Sequence, residues 1–265
     1  MSQRKFLNKL QDKLVLVFGG TSGIGYAVAE AVLEHGAKLI ISGSNPDKLD
    51  RTVNRLRKSY PDVKDGQIVT LVNDLTQIDI LENRLREQFH DVVSENGGQK
   101  IDHIVYTAGD SLNVGNGISD ADIKYINSVM TVRAYAPIFI AKVIATSDFV
   151  SKSAATSFTI TSGTAHIRPR KAWPVVSMLS GACQGLVKGL AYDLAPIRVN
   201  VVNPGLFQTE LASKWPASAL EKAKGDTLTK KIGQAEDIAE AYLYFMKDAS
   251  VDGISIVSDN GKVLF

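Results

Sequence analysis

Along this chain, short and nearly unbroken apolar runs alternate with longer stretches in which apolar residues return every third or fourth position. A run of the first kind suits a strand buried on both faces, whereas the second spacing draws one apolar stripe along a helix. The opening example is Leu14, Val15, Leu16, Val17 and Phe18, which lead into Gly19-Gly20-Thr21-Ser22-Gly23-Ile24-Gly25, after which Ala27, Val28, Ala31 and Val32 recur at helical spacing. Residues 38–41 predict a second strand and 47–59 a helix, entered through Pro46 where a missing N–H is tolerated. Further strands are predicted at 67–72, 101–106, 156–161, 197–202 and 254–257, with helical stretches between them. The repetition predicts an α/β fold, a doubly wound parallel sheet of about seven strands whose ligand crevice opens beyond the carboxyl ends of the strands.

Nothing within the 265 residues reads as a linker, so a single domain is expected over 13–265 behind a polar tail at 1–12. Apolar residues make up 45% and charged residues 22% of the chain, the make-up of a globular protein with an ample core rather than of a disordered one. A net charge of +2 without a basic block gives nucleic acid no electrostatic footprint. The first residues lack the apolar segment of a secretory signal, and no run approaches the ~18 apolar residues of a membrane span. A cytoplasmic protein with no membrane contact is therefore expected. The lone Cys183 excludes an internal disulfide framework and reads as a buried, inert thiol. The histidines show no ligand spacing, so no metal site is expected. The longest irregular stretch, 204–233, carries Trp215-Pro216 and reads either as a substrate lid over the crevice or as a structural loop.

Glycines at 19, 23 and 25 permit a tight turn in which main-chain N–H groups around Thr21, Ser22 and Ile24 approach a pyrophosphate at the positive end of the helix. A glycine triplet alone says little; following a strand and opening a helix, it points to a dinucleotide in a Rossmann-type fold. The second strand ends in Ser42-Gly43-Ser44-Asn45, with no carboxylate to hold a ribose 2′-hydroxyl. Ser42, Ser44, Asn45 and Lys48 instead suit a 2′-phosphate, so NADP(H) is the expected cofactor, and the same residues also read as a turn and helix cap.

Over roughly 14–261 the chain resembles the short-chain dehydrogenase/reductase family. Residues 18–25 are similar to its Thr-Gly-x-x-x-Gly-x-Gly turn with Phe18 for the threonine, Asp74-Leu75 to its adenine-contacting segment, and Thr107-Ala108-Gly109 to Asn-Ala-Gly. Ile160-Thr161-Ser162-Gly163 resembles the segment of the catalytic serine, and residues 198–205 with Thr209 the segment that closes over the nicotinamide. The resemblance implies cofactor contacts at Asp74, Leu75, Ala108, Gly109, Pro204, Gly205, Leu206 and Thr209. It also exposes a gap. Of the family's Asn, Ser, Tyr and Lys only Ser162 remains: Thr131 stands at the asparagine, and Val176-Ser177-Met178-Leu179-Ser180-Gly181-Ala182 falls on Tyr-Ser-Ala-Ser-Lys-Gly-Ala, with Val176 at the tyrosine and Ser180 at the lysine. A positioned general acid is typically worth ~10²–10⁴ in rate, and valine donates no proton.

Hydride addition to an iminium escapes that requirement, because its product is a neutral amine. A narrower similarity points the same way. Gly43-Ser44-Asn45-Pro46, Thr131-Val132-Arg133, Ser162-Gly163 with Trp173 downstream, and residues 236–244 resemble the fungal branch that serves bicyclic prenylated-indole alkaloid pathways. In that branch NADPH reduces an iminium and the same pocket guides an intramolecular Diels–Alder cyclisation. The resemblance implies Arg133 near the cofactor and Trp173 lining the substrate pocket. The branch carries an aspartate three residues before the tryptophan, where this chain has Arg170, and the exchange reverses the local field.

The expected catalytic and substrate-contacting set is Ser162, Arg133, His166, Arg170, Trp173 and Asp110, each with a plainer reading beside it. Arg133 and His166 also fit a solvated surface, Trp173 core packing, and Asp110 a helix cap. Three functions fit the pattern: a reductase of an imine-like substrate, a non-redox cyclase or isomerase that keeps NADP as scaffold, and a dinucleotide sensor without turnover. The resemblance alone implies a homo-oligomer through helices around 124–146 and 173–192.

Overall fold

The apolar runs become one parallel sheet. In the computed structural model, which describes residues 4–109, 117–210 and 216–264, the chain forms β1 (Leu14–Phe18), α1 (Gly23–Glu34), β2 (Lys38–Gly43), α2 (Pro46–Ser59), β3 (Ile68–Val72), α3 (Ile78–Glu95) and β4 (His103–Tyr106). Then follow α4 (Ile123–Met130), a π turn (Thr131–Tyr135), α5 (Ala136–Thr146), β5 (Ser157–Thr161), α6 (Pro174–Asp193) and β6 (Arg198–Pro204). The last elements are β7 (Phe207–Gln208), α7 (Ala217–Gly225), β8 (Gly233–Gln234), α8 (Ala235–Lys247) and β9 (Ser255–Ser258). Seven strands lie parallel in the order β3-β2-β1-β4-β5-β6-β9, so the order reverses between β1 and β4, where a ligand crevice opens.

Successive side chains on a strand leave opposite faces, and the two cores follow from that. Leu14, Leu16 and Phe18 enter one core with Leu85 and Phe89 of α3 and Ile140 and Ile144 of α5. Val15 and Val17 enter the other with Val28 of α1, Leu49 and Leu56 of α2, and Tyr242 and Phe245 of α8. Burial on both faces holds for β1 but not at the sheet edges. Val72 on β3 and Val257 on β9 are exposed, because these strands lack a neighbour on one side. At its amino end the sheet is tied by the buried Arg198, whose guanidinium donates to the carbonyls of Ala154 at 2.6 Å and Phe245 at 2.7 Å.

Three expectations need correction. The described part of 204–233 is not wholly irregular: it holds β7, α7 and the start of β8, and β7 pairs with β8. Trp215 within it lies outside the described residues. The first residues are not merely a tail, since Asn8–Leu10 forms a 3₁₀ turn whose Leu10 is fully buried in the core with Val28 and Tyr242. Finally, residues 123–146 form one helix that is long and apolar enough to cross a membrane by length and composition, although half of its most apolar window is buried inside the protein. It packs against α3 as a core helix.

The π turn within that helix is held from outside. The Tyr106 hydroxyl donates to the Val132 carbonyl, and the Cys183 thiol lies 3.8 Å from the carbonyl of Arg133. Such turns commonly mark functional positions.

His103 on β4 pairs in register with Ser157 on β5, its Nδ1 2.9 Å from the Ser157 hydroxyl, and is 2% exposed. Burial pushes its pKa down to about 3, with the nearby Asp102 opposing the shift. The folded state therefore holds this imidazole neutral while the unfolded chain takes up a proton near pH 6.5. The stability His103 provides is full above that value and is lost as pH falls toward about 3, by up to about 1.4 kcal/mol per pH unit. Denaturant unfolding from pH 8 to pH 4 should show a shallower acid decline in His103→Asn than in the wild type; identical slopes would contradict this account.

Candidate active site

At the carboxyl end of β1 the chain turns so tightly that Gly19 touches β4: a Cβ built there would lie 2.7 Å from the main-chain nitrogen of Ala108. One turn into α1, a Cβ on Gly25 would lie 2.3 Å from both the Gly19 carbonyl oxygen and the Thr107 hydroxyl. Gly23 has φ +55°, a conformation glycine adopts without strain, and its Cα faces Thr209. Ser22 stands at the N-cap of α1 but makes no capping bond; its hydroxyl instead accepts from Lys48 Nζ at 2.9 Å. No side-chain cap closes the first turn of α1, so its N–H groups face the crevice as donors for a pyrophosphate, which fits a dinucleotide.

The adenosine end differs from expectation in one respect. Ser42 is 1% exposed, because the strand alternation turns it inward, and it offers no hydroxyl to a phosphate at the surface. Its carbonyl accepts from the Gly19 N–H at 2.9 Å, which makes it a support of the turn. Ser44 is exposed at the end of β2, and Asn45 uses its side-chain oxygen to cap α2, accepting from the Lys48 N–H at 2.8 Å. Lys48 also approaches Glu210 at 3.5 Å. The Asp74 carboxylate accepts from the Thr76 hydroxyl and N–H and from Gln77, bonds that hold its pKa below the usual carboxylate range. Leu75 beside it is buried.

Beyond the carboxyl ends of β5 and β6 lies an open cleft of about 200 Å³. Its wall includes Ser162, Thr164, Arg168 and Arg170 from the loop after β5, Val176, Ser180 and Cys183 from α6, Trp173 ahead of α6, Arg133 from the π turn, and Pro204, Gly205 and Leu206. Four of the six expected catalytic residues thus meet here: Ser162, Arg133, Arg170 and Trp173. Arg133 also lies against Gly109, where a Cβ would come within 2.3 Å of its guanidinium, so it bridges the end of β4 and the cleft. Arg170 sits over the Trp173 ring, 5.0 Å from its centroid. Asp110 lies outside the described residues.

His166 is the correction. It does not line the cleft, because its Nδ1 lies 2.7 Å from the Ser180 hydroxyl and 3.2 Å from the Gly163 carbonyl. Ser180 in turn donates to the Gly163 carbonyl at 2.6 Å. These bonds fasten the loop after β5 to α6 and hold the imidazole through its Nδ1. The site also takes in residues outside the expected set, among them Thr164, Arg168 and Cys183. Arg168 donates to the Lys262 carbonyl at 2.5 Å, and its signal was the run Arg168-Pro169-Arg170 in a loop after a strand.

The position of the missing proton donor is filled by packing. Val176 is 5% exposed and sits in an apolar cluster with Val129, Ala134, Val175, Leu179 and Cys183. Burial pushes the Cys183 thiol above its usual range, which keeps it protonated and inert. The Thr131 hydroxyl donates to the Asn127 carbonyl at 2.7 Å within its own helix, as a helical threonine does, rather than into the cleft. The Ser162 hydroxyl, 3.5 Å from the Ser180 carbonyl, is the remaining hydroxyl of the family's set.

Comparison with known proteins follows this geometry. Residues 6–265 match the family model of the SDR-like Rossmann domain. The chain is 39% identical over 264 residues to the short-chain dehydrogenase/reductase ucsE of an Acremonium species, with 97% of each chain covered. It is 37% identical to the solved MalC reductase/Diels–Alderase of Malbranchea aurantiaca, with a TM-score of 0.89 and 99% of this chain and 100% of that chain covered. A short-chain dehydrogenase from Burkholderia cenocepacia, solved in complex with NADP, shares the fold at 23% identity and a TM-score of 0.80, over 96% of this chain and 99% of that one. The seven-stranded sheet, the glycine turn at the reversal of strand order and a match over nearly the whole chain make this protein an oxidoreductase of the short-chain dehydrogenase/reductase family.

Proposed function

We propose that the protein is an NADP(H)-dependent reductase of specialised, alkaloid-type metabolism that adds hydride to an iminium or a related electrophile. The observation that carries this reading is Val176: a buried apolar side chain stands where the family places its proton donor, beside a glycine turn suited to a dinucleotide. When bound, the nicotinamide supplies hydride, and its addition to a C=N⁺ carbon moves the π electron pair onto nitrogen, so the amine forms without a proton from the protein. The chain's own part is to position and to dry the site. Trp173, Val176, Leu179 and Cys183 give it an apolar wall, while Ser162 and Thr164 present hydroxyls that orient a polar substituent. The similarity to MalC, whose structure is described as a reductase/Diels–Alderase, supports this class of chemistry.

NADP(H) is preferred over NAD(H) in this reading, because the end of β2 carries no acid and Lys48 is held beside the glycine turn by Ser22. Cytosolic NADPH would serve it, and the exposed Ile123, Ile138 and Met178 suit a homo-oligomeric face on the central helices. A second reading keeps the cofactor as scaffold for cyclisation alone. The likeness to a reductase/Diels–Alderase favours it, and orientation by itself can lower an intramolecular barrier by ~7–11 kcal/mol.

Anaerobic incubation of the purified protein and NADPH with paired cyclic imines and ketones separates these readings. The reductase should oxidise NADPH only with imines, giving products two hydrogens heavier than the neutral imine, whereas equal turnover of the ketones would show a working proton donor. Tight NADPH binding without oxidation, together with isomerised product, would favour the scaffold. For cofactor choice, Ser44→Asp should weaken NADPH binding by about tenfold or more through charge repulsion while sparing NADH. Unchanged affinity for both would reject the proposed phosphate site.

A further inference from the structure

The proposed chemistry does not use the charge of the cleft. Its wall holds Arg133, Arg168 and Arg170, and among the described residues that line it there is no aspartate or glutamate. We propose that the cleft takes a substrate bearing a carboxylate, gripped by Arg168 and Arg170; this rests on the reductase reading only for what happens at the reacting carbon.

The two guanidinium groups are fixed without being neutralised. Arg168 is half-buried and donates to the main-chain carbonyl of Lys262 at 2.5 Å. Arg170 lies over the π face of Trp173, 5.0 Å from the ring centroid. A carbonyl and an aromatic face are dipolar or quadrupolar partners, so each orients a cation and leaves its full charge. Two acids around Lys262 are engaged in other bonds. The Asp259 carboxylate accepts from the N–H groups of Gly261 at 2.9 Å and Val263 at 2.8 Å, and Asp226 pairs with Lys262 at 3.3 Å.

A guanidinium presents a planar fork that matches a carboxylate, and at the half-buried Arg168 such a bond is stronger than in water. Trp173 beside the fork offers a face for the ring of the same ligand. The assignment also removes a conflict in the proposed chemistry. A bare iminium cation would enter a cleft already rich in positive charge, whereas an iminium that carries a carboxylate is neutral overall and can place its anion at Arg168 and Arg170.

Binding tests this without turnover. The full-length protein saturated with NADP⁺ is titrated calorimetrically with 1-naphthoate and with the near-isosteric, uncharged 1-naphthamide. The wild type should bind the carboxylate about tenfold or more tightly than the amide. That preference should shrink in Arg168→Met, vanish in Arg170→Asp and be partly kept in Arg170→Lys. Arg170 is exposed, so its variants test the charge without threatening the fold. Equal binding of both probes, binding of neither, or a preference that survives both substitutions would overturn the proposal. A carboxylate preference in a protein that leaves NADPH unoxidised with every imine and ketone offered would uphold this inference and sink the reductase reading.

Discussion

The ends of β1 and β4 meet so closely that no side chain fits between them. Gly19 rests on the backbone of Ala108, and Gly25 rests on Gly19 and Thr107. This contact sits at the reversal of strand order, and much of the site is built outward from it. It brings the uncapped start of α1 to the crevice, sets Thr209 against Gly23, and leaves room at Gly109 for the Arg133 guanidinium. A methyl group at Gly25 would force these backbones apart, and the turn and the mouth of the cleft would shift together.

On that frame the reacting half of the site has been rebuilt. In the family, the place of Val176 and Ser180 holds a tyrosine and a lysine. Here the first position is part of an apolar cluster, and the second donates to Gly163 and meets His166. The polar contacts that remain in this region are therefore structural: they bind the loop after β5 to α6 and keep Ser162, Arg168 and Arg170 at the cleft. On the proposed reading, a site of this kind orients its ligands rather than transferring protons. Among the described residues that line the cleft, the charged side chains are guanidinium groups, which do not release a proton near neutral pH. Hydride acceptors that need no proton, and substrates that bring negative charge, suit it on the same physical grounds.

The fold was legible because strands buried on both faces leave apolar runs, nearly unbroken in β1 and β2 and broken in β5 and β6 by the buried Thr159, Asn200 and Asn203. Residues 101–102 were read as strand, yet Ile101 makes only an isolated bridge with Val150 before β4 begins at His103. Helix α7 escaped notice because it buries no residue and so draws no apolar stripe. The glycine turn was legible since its spacing has few other uses after a strand. Ser42 was misplaced because a motif gives sequence neighbours, while the strand pleat decides which of them faces inward. In the loop after β5 no periodicity tells which side chains turn into the cleft, so the sequence does not separate His166 from Arg168. That distinction depends on Ser180, a contact made across the fold.

The central claim is that no group of the protein donates a proton during hydride transfer. The most direct measurement is the single-turnover rate of NADPH oxidation with an N-alkylated cyclic iminium, whose charge does not depend on pH, in H₂O and in D₂O between pH 6 and 9. The account predicts one rate throughout, unaffected by solvent isotope. A marked slowing in D₂O, or a rate that follows the titration of a single group, would show that a proton donor operates in this site after all.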